Sequence, residues 1–217
     1  MRKLVAICQM TLDGVMQAPG GPEEDPTGGF ELGGWSVNYW DDAMLEMVGE
    51  AFGNEFELVL GRRTYEIFAA HWPYDEGPIA DGINAARKHV ASRTLSELEW
   101  ENSVLLEGDV SKAIATLKAE DGPELQTQGS IDLLQTLLAD GLVDEFRVFV
   151  FPVVVGPGKR LFGDSVEPAG LELVESKTSG TGVFMGTYRV TGPIEPGSFA
   201  FEEPTEREVE RREQLSG

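Results

Sequence analysis

One cysteine and two histidines in a chain of 217 residues are too few soft ligands to assemble a zinc site, and no metal is expected. Cys8 lies inside the first apolar run, has no partner for an internal disulfide and reads as a small core residue, in keeping with a reduced compartment. Basic residues are also scarce: 17 Lys and Arg stand against 38 Asp and Glu, a formal net charge of −21. A chain this acidic is repelled by nucleic acid and by anionic lipid, so neither is expected as a partner. No apolar run reaches the roughly 18 residues of a spanning helix. The amino terminus lacks the basic, apolar, small-residue order of a secretory signal, and a cytoplasmic protein is expected. What the chain does have is 41% hydrophobic residues, enough for the core of one domain.

Those residues fall into alternating patterns. The run at 4–15, LVAICQMTLDGV, reads as a strand, and DDAMLEMVGEAFGN at 41–54 as an amphipathic helix that places Met44, Leu45, Met47, Val48 and Phe52 on roughly one face. FELVL at 56–60, KHVAS at 88–92 and SVLLEG at 103–108 read as short strands. RTYEIFAA at 63–70 reads as a helix, and so does the segment after residue 109, capped by Ser111 and stopped by Gly122. ELQTQG at 124–129, SIDLLQTLLADG at 130–141 and EFRVFVFPVVVG at 145–156 form a strand, helix, strand unit, which predicts two parallel strands in one sheet. Runs at 171–179 and 182–192 have no helix between them and predict a terminal antiparallel hairpin. The sum is a single α/β domain over 1–192, with a mainly parallel mixed sheet and an antiparallel edge. Residues 193–217 form a charged tail, in which Thr205 and Glu208 have the spacing of a capping box.

In such a sheet, ligands gather at the carboxyl ends of the strands, where helix amino termini offer free N–H groups to phosphates. Three junctions have that character. In LGRRTYE at 60–66 a strand gives way to a helix that begins with two arginines, in a place where the helix dipole disfavours cations. An anion is the simplest reason for them. KHVASRT at 88–94 puts Ser92, Arg93 and Thr94 at a strand end, and TQGSID at 127–132 makes a tight turn at Gly129 and Ser130 that lets a diphosphate approach the backbone. Neither the three-glycine Rossmann spacing nor a P-loop lysine is present.

The ordered set TLDG (11–14), LGRRTYE, VASRTL (90–95), QGSIDLLQTLL (128–138), GLVDEF (141–146) and PVVVGPGKRLF (152–162) resembles the dihydrofolate reductase-like family. Within it, the closest likeness is to the branch containing the reductase domain of bifunctional riboflavin-biosynthesis deaminase-reductases. The resemblance spans about 2–191 and implies an NADPH-dependent reductase, usually a homodimer. By motif it implies that Arg62, Arg63 and Thr64, with Ser92 and Arg93, meet the adenosine 2′-phosphate side of NADPH. Gly129, Ser130 and Ile131 would hold the diphosphate, and Ala6 to Thr11 would pass beside the nicotinamide. Asp13 and Gly14 fall on the substrate side. The chain departs from the riboflavin branch at Thr127, where those reductases carry an acid, and with one cysteine their zinc deaminase domain is not expected in it.

The function expected is hydride transfer from NADPH to a C=N, C=C or C=O bond of a small planar substrate, pterin-like or pyrimidine-like. Asp13, then Asp42 and Asp41, are the candidates for supplying the proton. A nucleotide-binding protein without turnover, or a flavin-linked variant, is the alternative. Between the first strand and the first helix, the glycine- and proline-rich stretch at 17–36 has no regular period. A long connection of this kind is either functional or disordered. With Met16, Phe30, Trp35, Tyr39 and Trp40 in and beside it, it is expected to form a wall or a closing lid over the substrate, with Trp35 and Trp40 as substrate contacts.

Overall fold

The computed structural model describes residues 1–52, 55–163 and 166–215, with the backbone alone at 50–52. The strands are β1 (Leu4–Thr11), β2 (Phe56–Gly61), β3 (Arg87–Ala91), β4 (Ser103–Leu105), β5 (Glu124–Gln128), β6 (Glu145–Phe151), β7 (Gly170–Thr178) and β8 (Phe184–Gly192). They form one sheet in the order β4-β3-β2-β5-β1-β6-β8-β7. All pairings from β4 to β6 are parallel, and β8 and β7 close the sheet antiparallel to β6 and to each other. The expected mixed sheet with an antiparallel hairpin at its end is therefore present. β5 and β6 run parallel but do not touch, because β1 lies between them.

The helices are α1 (Asp42–Phe52), α2 (Arg62–Ala69), α3 (Pro78–Ala85), α4 (Val110–Ala119), α5 (Ile131–Ala139) and α6 (Glu206–Leu215). Alternation along the strands decides which helix each side chain meets. In β2, Phe56, Leu58 and Leu60 pack with Tyr65 of α2 and Ile83 of α3, while Val59 turns to the other side with Leu4, Ala6 and Cys8 of β1. That second side is covered by Ile114 of α4 and by Leu133, Leu134, Leu137 and Leu138 of α5. Met44 of α1 packs on Phe149 and Phe151 of β6 and Met185 of β8. Helices α1, α2 and α3 thus cover one face, and α4 and α5 the other. Cys8 is a core residue, fully buried, and burial pushes its thiol up to about 12. No helix among the described residues is long and apolar enough to cross a membrane.

Several local expectations change. Asp109, not Ser111, caps α4: its carboxylate accepts from the Lys112 amide at 2.9 Å, while the Ser111 hydroxyl turns to Asp140. Ser111 sits one residue inside the helix, past the position from which a side chain can reach the free N–H groups. Leu45 is exposed rather than inward, and β6 ends at Phe151 because Pro152 has no N–H to continue the ladder. Helix α3 has no counterpart in the apolar pattern, since it is short and has Gly82 inside it; its one signal is Pro78 at the first turn. Residues 53 and 54, at the end of the stretch read as the first helix, lie outside the described residues. The capping box of the tail is half formed. Thr205 accepts from the Glu208 amide at 3.4 Å, but the Glu208 carboxylate pairs with Arg211 and Arg212 instead of reaching back.

Lys88 of β3 is completely buried, with Nζ donating to the carbonyls of Asn84 (2.6 Å) and Glu101 (3.1 Å) and lying 4.1 Å from the centre of the Trp100 ring. Burial pushes its ammonium down from 10.5 to about 8, against the weaker pull of Glu101. A lysine whose pKa is lower folded than unfolded destabilises the fold wherever it is charged, and the penalty is relieved as pH rises from about 8 towards 10.5. Thermal melts across that range are expected to show wild type gaining several degrees on Lys88→Met, and parallel pH profiles for the two proteins would refute this assignment.

Candidate functional site

The three junctions stand on consecutive strands. β3, β2 and β5 are neighbours and parallel, so the segments after Ala91, Gly61 and Gln128 emerge side by side at the carboxyl edge. The helices that follow β2 and β5 lie on opposite faces, which opens a crevice between those two strand ends.

The walls of the crevice are tied to each other. The Gly61 amide donates to Ser130 Oγ at 2.9 Å, and the Ser130 amide donates to Thr64 Oγ1 at 3.0 Å. Both hydroxyls therefore serve the scaffold. Gly129 and Ser130 have positive φ in succession, 60° and 48°. A Cβ on Gly129 would meet Thr64 Oγ1 at 3.7 Å, an ordinary contact, so the conformation and not the space calls for glycine. Ile131 opens α5, where the amides of the first turn have no partner within the helix.

Beside the crevice, Arg62 donates to Thr94 Oγ1 at 2.7 Å and pairs with Glu66 at 2.8 Å, linking the first junction to the second. Ser92 Oγ accepts from the amides of Thr94 and Leu95 and shapes the turn, and Arg93 is exposed and makes no ion pair among the described residues. Arg63 turns the other way, to Asp25 Oδ2 (3.3 Å) and the Thr27 hydroxyl (3.5 Å). Asp25 and Thr27 belong to the 17–36 stretch.

That stretch is ordered by its own side chains. Gln17, nearly fully buried, donates from its amide to the carbonyls of Asp25 (2.9 Å) and Thr27 (2.8 Å) and accepts from the Lys159 amide at 3.2 Å. Asp25, 7% exposed, binds Lys159 Nζ at 2.6 Å. Burial pushes the Asp25 carboxyl up, but Lys159 and the Thr27 hydroxyl outweigh burial and hold it below the usual range. Gly158, beside Lys159, has no room for a side chain, because a Cβ there would lie 2.6 Å from Val15. Met16 and Phe30 are buried. Trp35 donates to the Gln17 carbonyl at 2.8 Å and sets its ring on Phe151, 5.3 Å between centres, with Tyr39 on the same ring and Trp40 in the same cluster. The stretch is thus seated against the sheet at both ends.

The three acids have different surroundings. Asp13 leaves the end of β1 and accepts from the Thr11 hydroxyl (2.6 Å) and the amides of Gly156 (2.9 Å) and Val155 (3.3 Å), with Arg160 at 3.5 Å. The Thr11 hydroxyl first, then the two amides, hold its carboxyl below the usual range despite some desolvation. Gly14, with φ 81°, turns the chain so that its carbonyl accepts from Leu161 at 3.1 Å. Asp41 caps α1 and clamps the β7–β8 turn, accepting from the amides of Met44 (3.1 Å) and Gly180 (2.7 Å). Asp42 is exposed, and Met44, not an acid, is the α1 residue aimed at the sheet. Asp25, Gln17 and Lys159 did not stand out in the sequence. Their only local trace is Asp25-Pro26-Thr27, an ordinary turn signal.

Comparison with known proteins gives this geometry a context. The family model for the RibD C-terminal domain matches residues 2–185. The uncharacterized protein YyaP of Bacillus subtilis strain 168 is 26% identical over 197 residues, covering 88% of this chain and 96% of its own. YwjB of the same strain, also uncharacterized, is 26% identical over 129 residues, covering 58% and 69%. Among solved structures, a candidate riboflavin biosynthesis protein from Shewanella sp. PV-4 superposes with TM-score 0.62 at 20% identity over 87% of this chain and 99% of that one. A pyrimidine reductase-like protein from Corynebacterium diphtheriae gives TM-score 0.57 at 13% identity over 88% and 92%. At those identities the two structures show the fold alone.

If the Ser130 hydroxyl holds β2 to β5, Ser130→Ala removes the acceptor of the Gly61 amide and is expected to destabilise the protein by about 1 kcal/mol. Urea unfolding measures this; an unchanged midpoint would mean that the bond contributes nothing.

Proposed function

The chain belongs to the RibD C-terminal domain family, and from that premise we propose that it is an NADPH-dependent reductase of a small planar molecule. The observation that carries the reading is the alignment of three strand-end junctions on β3, β2 and β5, with arginines on one side and an unusual left-handed turn on the other. In a protein of net charge −21 an anion-binding group is the economical reason for that arrangement.

The residues suit such a cofactor. Arg62 and Arg93, with Ser92, would hold the 2′-phosphate: Arg93 makes no ion pair among the described residues, and Arg62 can exchange its exposed Glu66 partner for a phosphate. Arg63 would be drawn from Asp25 towards the same phosphate, and Thr64 braces the turn. The backbone of Gly129 and Ile131 would lie along the diphosphate, with Ser130 fixing the turn. β1 from Ala6 to Thr11 would flank the nicotinamide. When bound, NADPH supplies a hydride to a C=N, C=C or C=O carbon, and a proton must reach the neighbouring atom.

Among the acids, Asp13 is held ionised by its donors and would act, with Gly14, as a fixed acceptor that orients the substrate. Asp41 would position α1. Asp42 keeps no hydrogen bond of its own among the described residues and would relay the proton through water. Trp35 and Trp40 would form the wall against the ring of the substrate. The homodimer implied by the resemblance is part of the same proposal.

A binding role without turnover is favoured by one feature, the engagement of Asp13 and Asp41 in holding turns, which leaves Asp42 as the acid for turnover. Titration with NADPH, followed by a panel of pterins and pyrimidines, separates the two: oxidation of NADPH supports the reductase, and binding with no oxidation supports the alternative. Arg62→Ala is expected to weaken NADPH by about 1.5–3 kcal/mol while leaving NADH nearly unchanged. Equal losses for both would refute the 2′-phosphate assignment.

A further inference from the structure

The wall formed by 17–36 is joined to the first junction through one carboxylate. Asp25 gathers Lys159 from the β6–β7 connection at 2.6 Å, the Thr27 hydroxyl at 2.5 Å and Arg63 from the start of α2 at 3.3 Å. The three contacts are unequal. Lys159 is the short one and its side chain is 28% exposed, whereas the Arg63 side chain is 48% exposed and makes only long bonds. Asp25 stays in place because Gln17 also grips the backbone on both sides of Pro26. The most weakly held partner in this set is therefore Arg63.

We infer that Asp25 is an internal counter-ion for Arg63, and that a phosphate bound at the start of α2 competes with it, so that filling the anion site loosens the grip on the 17–36 wall. The inference rests on the nucleotide reading of the junctions and adds a coupling between cofactor and wall. Linkage makes the coupling reciprocal: whatever frees Arg63 from Asp25 tightens the anion, and the anion in turn loosens the wall. The consequence is a wall held less tightly once a phosphate takes Arg63, while Lys159, Gln17 and Trp35 keep it seated. Lys159 keeps Asp25 paired throughout, so the carboxylate is never left buried without a partner.

Adenosine 2′,5′-bisphosphate is the probe, with calorimetry for affinity and hydrogen exchange for the wall, where the amides of Gly34 and Ser36 bond to the carbonyls of Ala18 and Pro19. Wild type is expected to exchange faster at 18–36 when the probe is bound. Asp25→Asn is expected to bind the probe about fivefold tighter or more, to exchange faster without it, and to lose the further response. Arg63→Gln leaves the Asp25–Lys159 pair intact and is expected to show no probe-dependent change at 18–36. Unchanged or weaker binding in Asp25→Asn, or exchange in wild type that ignores the bound probe, overturns the coupling. Failure of wild type and both variants to bind the probe overturns the nucleotide reading itself, and the coupling with it.

Discussion

The edge that brings the three strand-end junctions together depends on the parallel pairing of β2 with β5. These strands are separated by more than sixty residues of chain, yet Leu58 lies beside Gln126 and Gly61 reaches Ser130 Oγ across the gap. Crossovers to parallel neighbours keep one hand. A chain that leaves β2 towards β3 and leaves β5 towards β6 must therefore send its helices to opposite faces. The crevice follows from that divergence. The two hydroxyl contacts, Ser130 to Gly61 and Thr64 to Ser130, then hold its two lips at a set spacing. Because they are short-range and made by small side chains, they fix the backbone without engaging the guanidinium groups of Arg62 and Arg63.

The second constraint is the attachment of the 17–36 stretch to the sheet. Its glycines and prolines cannot build a ladder, so its backbone groups need other partners. Gln17 supplies several of them from one buried amide, and Asp25 supplies charge to both Lys159 and Arg63. The aromatic residues anchor the far end by edge-to-face contacts with Phe151 at the close of β6. A segment without secondary structure of its own is thus held from two sides, by ions at one end and rings at the other. This is also why the site acids differ in character. Asp13 and Asp41 accept backbone amides that hold turns, whereas Asp42 stays in solvent.

Much of the architecture could be read from local pattern. The buried strands announce themselves as short apolar runs, and α5 shows its inward row Leu133, Leu134, Leu137 and Leu138 at helical spacing. The misses have local causes too. Helix α3 carries a glycine in its middle and little apolar period, and the cap of α4 sits two residues earlier than the hydroxyl that attracts attention. The site was legible as three separate turns. That they adjoin one another could not be read from any of them, since adjacency is a property of strand order.

By itself, then, the sequence determined the elements, the single α/β domain and the placing of arginines and glycines at strand ends, because period, turn chemistry and charge act over a few residues. Tertiary structure alone decided which partner each of those side chains meets. Asp25 and Lys159 lie 134 residues apart and Arg63 a further 38 from Asp25, yet they share one carboxylate. Strong ion pairing needs contact distance and exclusion of water, and only the packed sheet supplies both.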